Sequence, residues 1–410
     1  MNNTPELLSP AGDLDKMRFG IAYGADAVYM AGTRFGMRAA ATNFDDNALR
    51  EGIAYAHAHG VKCYITVNIM PSNRDLPALP AYLELLADAG ADALIIADVG
   101  VLRMARKYAP SVPVHISTQT SILNHEAANY WADEGAERIV LARELSLEEI
   151  AEIRAKTPKE LEIEAFVHGA MCISYSGRCL ISQYMTGRDA NHGACAQPCR
   201  WNYSLMEEKR PGQFFPVEED GRGTYLYNSK DMCMIEHVPE LIEAGITSFK
   251  IEGRNKTAYY AACVTGAYRA AIDAYRKDPN GFVLPQFCRD EVNKVSHREY
   301  YTGFYFGSEE NGQHYGDSQY IREYEVVGMP VECDDSGKAV FALKNRFFDG
   351  EELELIQPGQ APYVFRAENV TDDEGTKREL FNVPQMRVHF AFPFKVSEWA
   401  ILRKVKERPE

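Results

Sequence analysis

The sequence predicts an α/β fold, a (β/α)8 barrel of the TIM type with a long cysteine-rich loop after its seventh strand, followed by a small C-terminal β-barrel domain. Three observations lead to this prediction. Short apolar runs alternate with helical stretches eight times before about residue 255. Several of the helical stretches end at a glycine, which readily adopts the left-handed cap conformation. From about residue 318, strand-like runs separated by turns take over.

Eight apolar runs have the length and composition of buried strands. They occupy residues 6–12, 27–32, 62–68, 93–99, 113–119, 138–143, 162–169 and 248–253. Glycines at 24, 90, 135 and 245 precede four of these runs, as if one helix-to-strand turn were reused. An open doubly wound sheet is the alternative, but no G-x-G-x-x-G motif follows a strand here. Eight units over about 250 residues favour the closed barrel.

The connection after the seventh strand is far longer than the others. It runs over residues 169–233, whereas the loops of α/β units usually have about 2–6 residues. It leaves the carboxyl end of a barrel strand, which is the active face of such barrels. Five of the nine cysteines lie in it or at its far edge. The sequence therefore predicts that this loop is functional.

The length of 410 residues predicts more than one domain, because single cores stop growing at about 250–300 residues. We expect the barrel over residues 1–280, a helical connector over 281–317 and the small β domain over 318–410. A helix at 257–277 would close the barrel, and a second helical stretch is expected near 288–299. Asp- and Gly-rich turns at 334–337 and 372–375 separate the strands of the β domain.

Composition narrows the function classes. The apolar content of 46% and charged content of 25% are ordinary for a soluble globular protein, and no apolar stretch is long enough for a membrane span. The N-terminal residues do not resemble a secretion signal. Nine cysteines, an odd number in a long chain, predict free thiols and a cytoplasmic location. The net charge of −15 argues against a non-specific nucleic-acid binder, although it permits a local basic patch.

The clustered cysteines have the spacing Cys172-x6-Cys179-x15-Cys195-x3-Cys199-x33-Cys233. Tetrahedral zinc sites usually use two tight Cys pairs, and only Cys195 and Cys199 form one here. Soft thiolates gathered from one loop favour an iron–sulfur cluster, with zinc or incidental thiols as the alternatives. The four cysteines elsewhere are interpreted as small core residues, namely Cys63, Cys263, Cys288 and Cys333.

Polar residues recur on one face of three predicted strands, although barrel interiors normally fill with branched apolar side chains. The predicted inward sets are His115, Ser117 and Gln119 in the fifth strand, Glu162, Glu164 and His168 in the seventh, and Lys250, Glu252 and Arg254 in the eighth. Phe249 and Ile251 would point to the helices. These polar sets indicate a site at the barrel mouth. The alternative is a self-satisfied buried network, such as Lys250 with Glu164 or Glu252.

Further polar residues follow the earlier strands and would join the same rim. They are Arg34, Arg38 and Asn43 after the second strand, Asn68 after the third and Asp98 at the end of the fourth. Several cations facing one cavity suit a polyanionic ligand, because the guanidinium fork matches carboxylate and phosphate. A solvated arginine is the alternative at each position. The sequence leaves the oligomeric state open, a homo-oligomer included.

Long stretches of the chain resemble the collagenase-like peptidase family U32. The matching segments are residues 7–12, 24–32, Arg38 with Asn43 and Phe44, 115–124, 164–182, 193–203, 248–260, 296–307 and 345–358. The glycine- and cysteine-rich segment EAFVHGAMCISYSGRCLIS at 164–182 is the most specific of them. The resemblance covers nearly the whole chain and implies the same barrel and β domain.

The resemblance implies a 4Fe–4S cluster held by four cysteines. Cys172, Cys179 and Cys233 fall on motif positions. Cys195 is the favoured remaining ligand, and Cys199 is a substitute for it. The family contains a branch that hydroxylates the wobble uridine of tRNA with oxygen from prephenate, another that acts on a cytidine of ribosomal RNA, and a third that supports quinone hydroxylation. Length and domain plan are most similar to the tRNA branch.

The tRNA reading assigns roles to individual residues. Arg34, Arg38, Lys250 and Arg254 would hold a small dicarboxylate donor such as prephenate. The RNA would meet the β domain and the long loop, where Tyr175, Tyr184 and Trp201 would stack on an extruded base or serve as loop anchors. A local positive strip is expected at Arg178, Arg188, Arg200 and Lys256. The residue that carries the chemistry stays open among Arg34, Arg38, His115, Gln119, His168, Lys250, Glu252 and Arg254.

Two other functions are weighed against this one. A peptidase has weak support, because the segment His125–Asn129 lacks the second histidine of H-E-x-x-H and no G-x-S-x-G motif occurs. Cluster ligation would also consume the cysteines available for a Cys–His pair. A non-catalytic partner of another hydroxylase is the third reading. Nothing in the sequence indicates a membrane protein.

Overall fold

The computed structural model describes residues 4–37, 42–172, 179–190, 193–201, 205–206, 214–215, 230–307 and 320–406. The first seven strands are β1 (Glu6–Pro10), β2 (Ala27–Met30), β3 (Lys62–Val67), β4 (Ala93–Ile96), β5 (Val114–Ile116), β6 (Arg138–Val140) and β7 (Glu162–Ala170). Three short strands follow, β8 (Leu205–Met206), β9 (Phe214–Phe215) and β10 (Asp231–Cys233), and then β11 (Ser248–Ile251). All eight predicted barrel strands are present.

The barrel is closed. Each of its strands pairs in parallel with the next, and β11 pairs with both β7 and β1. β10 runs antiparallel to β7 and pairs with β12 (Tyr300–Tyr301). This closure confirms the predicted (β/α)8 barrel and excludes the alternative, an open doubly wound sheet.

Helices surround the barrel. Those in the described residues are α1 (Leu14–Ala22), α2 (Asp46–Ala58), α3 (Leu79–Asp88), α4 (Val99–Tyr108), α5 (His125–Asp133), α6 (Leu147–Ala155), α7 (Ile181–Thr186), α8 (Val238–Glu243), α9 (Ala258–Lys277) and α10 (Gln286–Asn293). The glycines at 24, 90, 135 and 245 have φ between 75° and 98°, the left-handed conformation that the repeated turn requires. Among the described helices, none has both the length and the apolarity that crossing a membrane demands.

The barrel strands have one apolar region on each face, an outer one toward the helices and an inner one inside the barrel. The larger core lies between the strands and the helices. Inside the barrel, a small apolar layer contains Leu8, Ala27, Tyr29, Tyr64, Ala93 and Ile95. This layer fills the middle of the barrel.

The C-terminal domain is an antiparallel β structure. Its strands are β13 (Tyr324–Cys333), β14 (Lys338–Leu343), β15 (Phe347–Phe348), β16 (Glu352–Ile356), β17 (Tyr363–Arg366), β18 (Thr371–Asp372), β19 (Leu380–Phe381), β20 (Arg387–Ala391) and β21 (Ile401–Val405). Seven of them form one sheet in the order β17-β16-β21-β13-β14-β20-β18, and β15 pairs with β19. The predicted small β domain is confirmed as a half-barrel whose edge strands, β17 and β18, are not paired with each other.

Buried ion pairs connect the β domain to the helices of the barrel. Arg403 of β21 is fully buried and donates to Glu291 of α10, to Glu354 of β16 and to the Tyr259 hydroxyl of α9. Because a guanidinium group donates in fixed directions, these hydrogen bonds fix the orientation of the partners as well as pairing their charges. The half-barrel is thereby fixed beside the carboxyl ends of the barrel strands.

Candidate functional site

A cavity of about 940 Å³ lies over the carboxyl ends of the barrel strands. Its floor comes from residues on or after the strands, including Thr66, Asn68, Gln119, Phe166 and Lys250. Its walls come from described parts of the cysteine-rich loop and from the β domain and the segment that precedes it. The position matches the face where barrels of this type carry their sites.

The eighth barrel strand supplies the predicted polar set. Lys250, Glu252 and Arg254 all line the cavity, while Phe249 and Ile251 pack in the core between strands and helices. Arg254 is only 3% exposed, and its Nη1 lies 3.4 Å from the Thr66 hydroxyl. The prediction of one polar and one apolar face for this strand is confirmed.

Lys250 is also part of a buried ionic network. Its Nζ donates to the fully buried Glu164 carboxylate at 2.6 Å, and Arg138 donates to the other oxygen of that group at 3.0 Å. Arg138 further contacts Glu6 and Glu162. Burial lowers the pKa of Arg138, but the carboxylates of Glu6 and Glu164 outweigh it and raise that pKa above its ordinary value. The self-satisfied network weighed from the sequence therefore exists below the cavity floor.

The fifth strand places its polar residues at two depths. Ser117 and Gln119 line the cavity, and the Gln119 carbonyl accepts from Asn68 at 2.6 Å and from Ser117 at 3.1 Å. His115 lies deeper, 4.6 Å from the Tyr64 ring, and is not among the described residues that line the cavity. Burial, aided by Arg138 and Lys250, lowers the pKa of His115, so this imidazole is neutral.

His168 does not share the face of Glu164, so that prediction is wrong. The pairing of β7 with β11 shifts register after Lys250, which lies opposite Phe166, whereas Ile251 lies opposite His168. The extra residue in β7 reverses the alternation, as a bulge does. Phe166 lines the cavity, and the buried His168 ring packs against Tyr268 and Tyr300 at 5.6 and 5.2 Å.

Three predicted rim residues also lie elsewhere, and one of them, Asn43, is absent from the described lining of the cavity. Arg34 donates from Nη2 to both carboxylate oxygens of Asp46, at 2.8 and 2.9 Å, and lies over the Tyr82 ring. Asp98 caps α4 by accepting from the Val101 amide. Neither belongs to the described lining of the cavity. Arg38 lies outside the described residues.

Arg143, which sequence reasoning missed, lines the cavity after β6. It is 7% exposed, and its guanidinium carbon lies 3.9 Å from the centre of the Phe166 ring. Nη1 donates to the Ala170 carbonyl at 3.2 Å, and Nη2 lies 3.9 Å from Glu252. Its Nε finds no hydrogen-bond partner among the described residues. An arginine at the carboxyl end of a strand, in the run RIVLAR, was the available signal.

Four of the five clustered cysteines share the cavity. Cys172, Cys179, Cys195 and Cys199 line it, and within the described residues none of them forms a disulfide. Cys233, at the end of β10 opposite His168, is not part of the described lining. Burial raises the pKa of Cys233 to about 12.

The donor chemistry of this wall fits a thiophilic metal group, because sulfur ligands select such groups. Within the described ranges, however, no three side chains of the Cys, His, Asp or Glu type are grouped to hold a metal ion. The ligand set stays a prediction.

The predicted loop aromatics and positive strip are only partly described. Trp201 is 43% exposed and Arg188 is exposed, whereas Lys256 lines the cavity. Tyr175 and Arg178 lie outside the described residues, as do the side chains of Tyr184 and Arg200.

Cations dominate the charge of the cavity, although the chain as a whole has a net charge of −15. The charged residues of its described lining are Arg143, Lys250, Arg254, Lys256, Arg322, Lys344 and Lys406 against Glu252 and Glu325. Low-dielectric walls of one charge sign concentrate the field and favour ligands of the opposite sign. The cavity can therefore bind an anion next to the cysteines of its wall.

Comparisons with known proteins agree with this architecture. A model of peptidase family U32 matches residues 12–315, and a model of the peptidase family U32 C-terminal domain matches residues 322–403. The chain is 38% identical to tRNA hydroxylation protein P1 of Bacillus subtilis, over 98% of this chain and 95% of the relative. It is 37% identical to tRNA hydroxylation protein P of Escherichia coli, over 90% of each.

A third relative is named for the modification of a ribosomal RNA. The 23S rRNA 5-hydroxycytidine synthase of Escherichia coli is 36% identical, over 80% of this chain and 48% of the relative. The family models together span both domains of the chain. On this similarity, and on the barrel and half-barrel that carry it, the chain belongs to peptidase family U32.

Proposed function

We propose that this chain is an RNA-modifying enzyme that hydroxylates the wobble uridine of tRNA to 5-hydroxyuridine. The observation that carries the proposal is the cationic cavity at the barrel mouth, bordered by four cysteines and by the β domain. Support also comes from the near full-length similarity to proteins named for tRNA hydroxylation.

The inner part of the cavity suits a small dicarboxylate, and we propose prephenate as the oxygen donor. Arg254 and Arg143 are both buried at this end, where a guanidinium group binds a carboxylate more strongly than in water. Lys250 already pairs with Glu164, so its ammonium group contributes less charge to a ligand. Arg143 therefore takes the place that the sequence assigned to Arg34.

The thiols suit a 4Fe–4S cluster, for which we retain Cys172, Cys179, Cys195 and Cys233, with Cys199 as the substitute. Such a cluster would supply electron transfer or a binding position for an oxygen-bearing ligand. The residues around it would exclude water, since Met171, Phe166 and Tyr29 present apolar surface to the same cavity. Cysteines that form no disulfide in the described residues also fit a cytoplasmic location, where a reducing environment keeps thiols reduced.

A peptidase reading has less support from the geometry. Thiol catalysis needs a base within hydrogen-bond reach of the nucleophile, usually a histidine. Among the described residues that line the cavity there is no histidine. The neutral His115 and His168 lie behind the cavity floor and in an aromatic cluster, respectively.

Complementation tests the proposal directly. In an Escherichia coli strain lacking tRNA hydroxylation protein P, this chain should restore nucleosides derived from 5-hydroxyuridine, measured by mass spectrometry of digested tRNA. An Arg254→Gln variant, made to the same level, should restore little. Unchanged nucleosides with well-expressed wild-type chain would contradict the proposal. Gelatin cleavage by the purified chain would instead favour a peptidase.

A further inference from the structure

Three exposed cations of the β-domain side converge on the outer edge of the cavity. Arg322 precedes β13, Lys344 follows β14 and Lys406 follows β21, so they come from distant parts of the sequence. All three line the same cavity as the inner arginines. We call Arg322, Lys344 and Lys406 the seam cluster.

The charges of the seam cluster are not neutralised by nearby carboxylates. Arg322 donates its Nε to the Ser296 hydroxyl at 3.1 Å, and within the described ranges no ion pair involves any of the three side chains. Other exposed cations of the same domain behave differently. Arg378 pairs with Asp372, Arg387 with Glu332 and Lys395 with Asp335, at 2.5–2.6 Å.

The grouping matters because the chain as a whole is acidic, with 59 acidic residues against 44 basic ones. A solvated lysine is ordinary by itself, but three from separate segments at one cavity edge make a local positive field. The inner cavity already holds buried arginines that suit a small anion. The seam cluster lies farther out, where it would meet a ligand too large to enter.

We propose that the seam cluster binds the phosphodiester backbone of the RNA and leads the target nucleotide into the cavity. This inference rests on the proposed function and adds the surface that holds the substrate. A polyanionic strand gains binding free energy by releasing condensed counterions when cations neutralise its phosphates. An acidic protein can thus bind RNA through the seam cluster, while the rest of its surface repels non-specific polyanions.

Lys256 lies between the seam cluster and the inner cavity. Its ammonium group donates to the Ser296 carbonyl at 2.9 Å and lies 4.5 Å from the centre of the Tyr320 ring. Arg322 approaches the same ring at 5.6 Å. The Tyr320 ring therefore lies between Arg322 and Lys256. An RNA strand bound at the seam cluster would be directed along this line toward the barrel mouth.

Salt-dependent binding tests the inference. The probe is an unmodified tRNA transcript, and its affinity is measured by fluorescence anisotropy over a series of KCl concentrations. Arg322→Gln, Lys344→Gln and Lys406→Gln should each reduce the slope of log K against log salt by about 0.7–1, and the triple variant by about 2–3. Lys344→Arg should keep the wild-type slope, because it preserves the charge.

Lys159→Gln is the matched control, since Lys159 is exposed and lies just before β7, at the opposite end of the barrel. It should leave the slope unchanged. A triple variant that melts like wild type but keeps the wild-type slope would overturn the inference and leave the proposed function standing. Failure of the proposed function has a different signature, which is wild-type chain that restores no hydroxylated nucleoside in the complemented strain.

Discussion

Lys250 donates a 2.6 Å hydrogen bond to a Glu164 carboxylate that has no solvent exposure. The same carboxylate accepts from Arg138, so one buried anion serves two buried cations. This relationship divides the barrel interior into two parts. Below it, charges are paired and serve the fold, and above it, the arginines of the cavity face a space that a ligand can fill.

Removing the Glu164 charge should strongly destabilise the barrel. Glu164→Gln leaves Arg138 and Lys250 with one fewer buried anion, and breaking a buried pair in this way costs about 3–5 kcal/mol. The free energy of unfolding, measured with urea at neutral pH, checks it. Glu152→Gln removes an exposed ion pair with Lys156 and should lower the free energy of unfolding far less than Glu164→Gln does. Equal effects of the two substitutions would contradict the role given to Glu164.

Sequence reasoning succeeded where the alternation of a strand is regular. The eighth barrel strand has no bulge of its own, so Lys250, Glu252 and Arg254 share the face that a period of two predicts. It failed at His168, because a bulge depends on pairing with the neighbouring strand and has no single-residue signature. The cysteine-rich loop was predicted from its length, which requires no knowledge of its conformation.

Rim arginines are harder to assign from sequence alone. Arg34 was expected at the cavity, but Asp46 at the start of α2 holds its guanidinium group elsewhere. Arg143 was overlooked because it ends an apolar run and looks like the edge of a strand. Which arginine turns inward depends on tertiary partners such as Phe166 and Glu252, which the spacing along the chain does not specify.

Arg143 should therefore matter more for donor binding than Arg34. Arg143→Lys keeps a cation but loses the planar fork, and we expect roughly 10-fold weaker binding of prephenate by isothermal titration calorimetry. Arg34→Gln is the control and should bind prephenate as tightly as wild type, because the described lining of the cavity does not include it. The reverse order of effects would return the donor site to the position expected from the sequence.

Acid should destabilise the chain in part through His168. Burial lowers the pKa of His168 to about 3, against 6.5 for the free side chain, so the unfolded chain binds the proton first. Stability is complete above pH 6.5 and is lost as the pH falls toward the folded-state pKa. His168→Gln cannot take up this proton, so its melting temperature should fall less steeply between pH 7 and pH 5. Parallel curves for the two proteins would show that other groups dominate.

Iron content can identify which four of the five clustered cysteines are the sulfur ligands. Cys172→Ser, Cys179→Ser and Cys195→Ser should each remove the visible absorption and most of the iron from anaerobically purified chain. We expect Cys233→Ser to do the same and Cys199→Ser to retain iron, because β10 holds Cys233 against β7, the strand that leads directly into Cys172. Cys333→Ser, an exposed thiol of the β domain, is the control and should keep full iron. Loss of iron with Cys199→Ser but not with Cys233→Ser would assign the site to the four thiols that line the cavity.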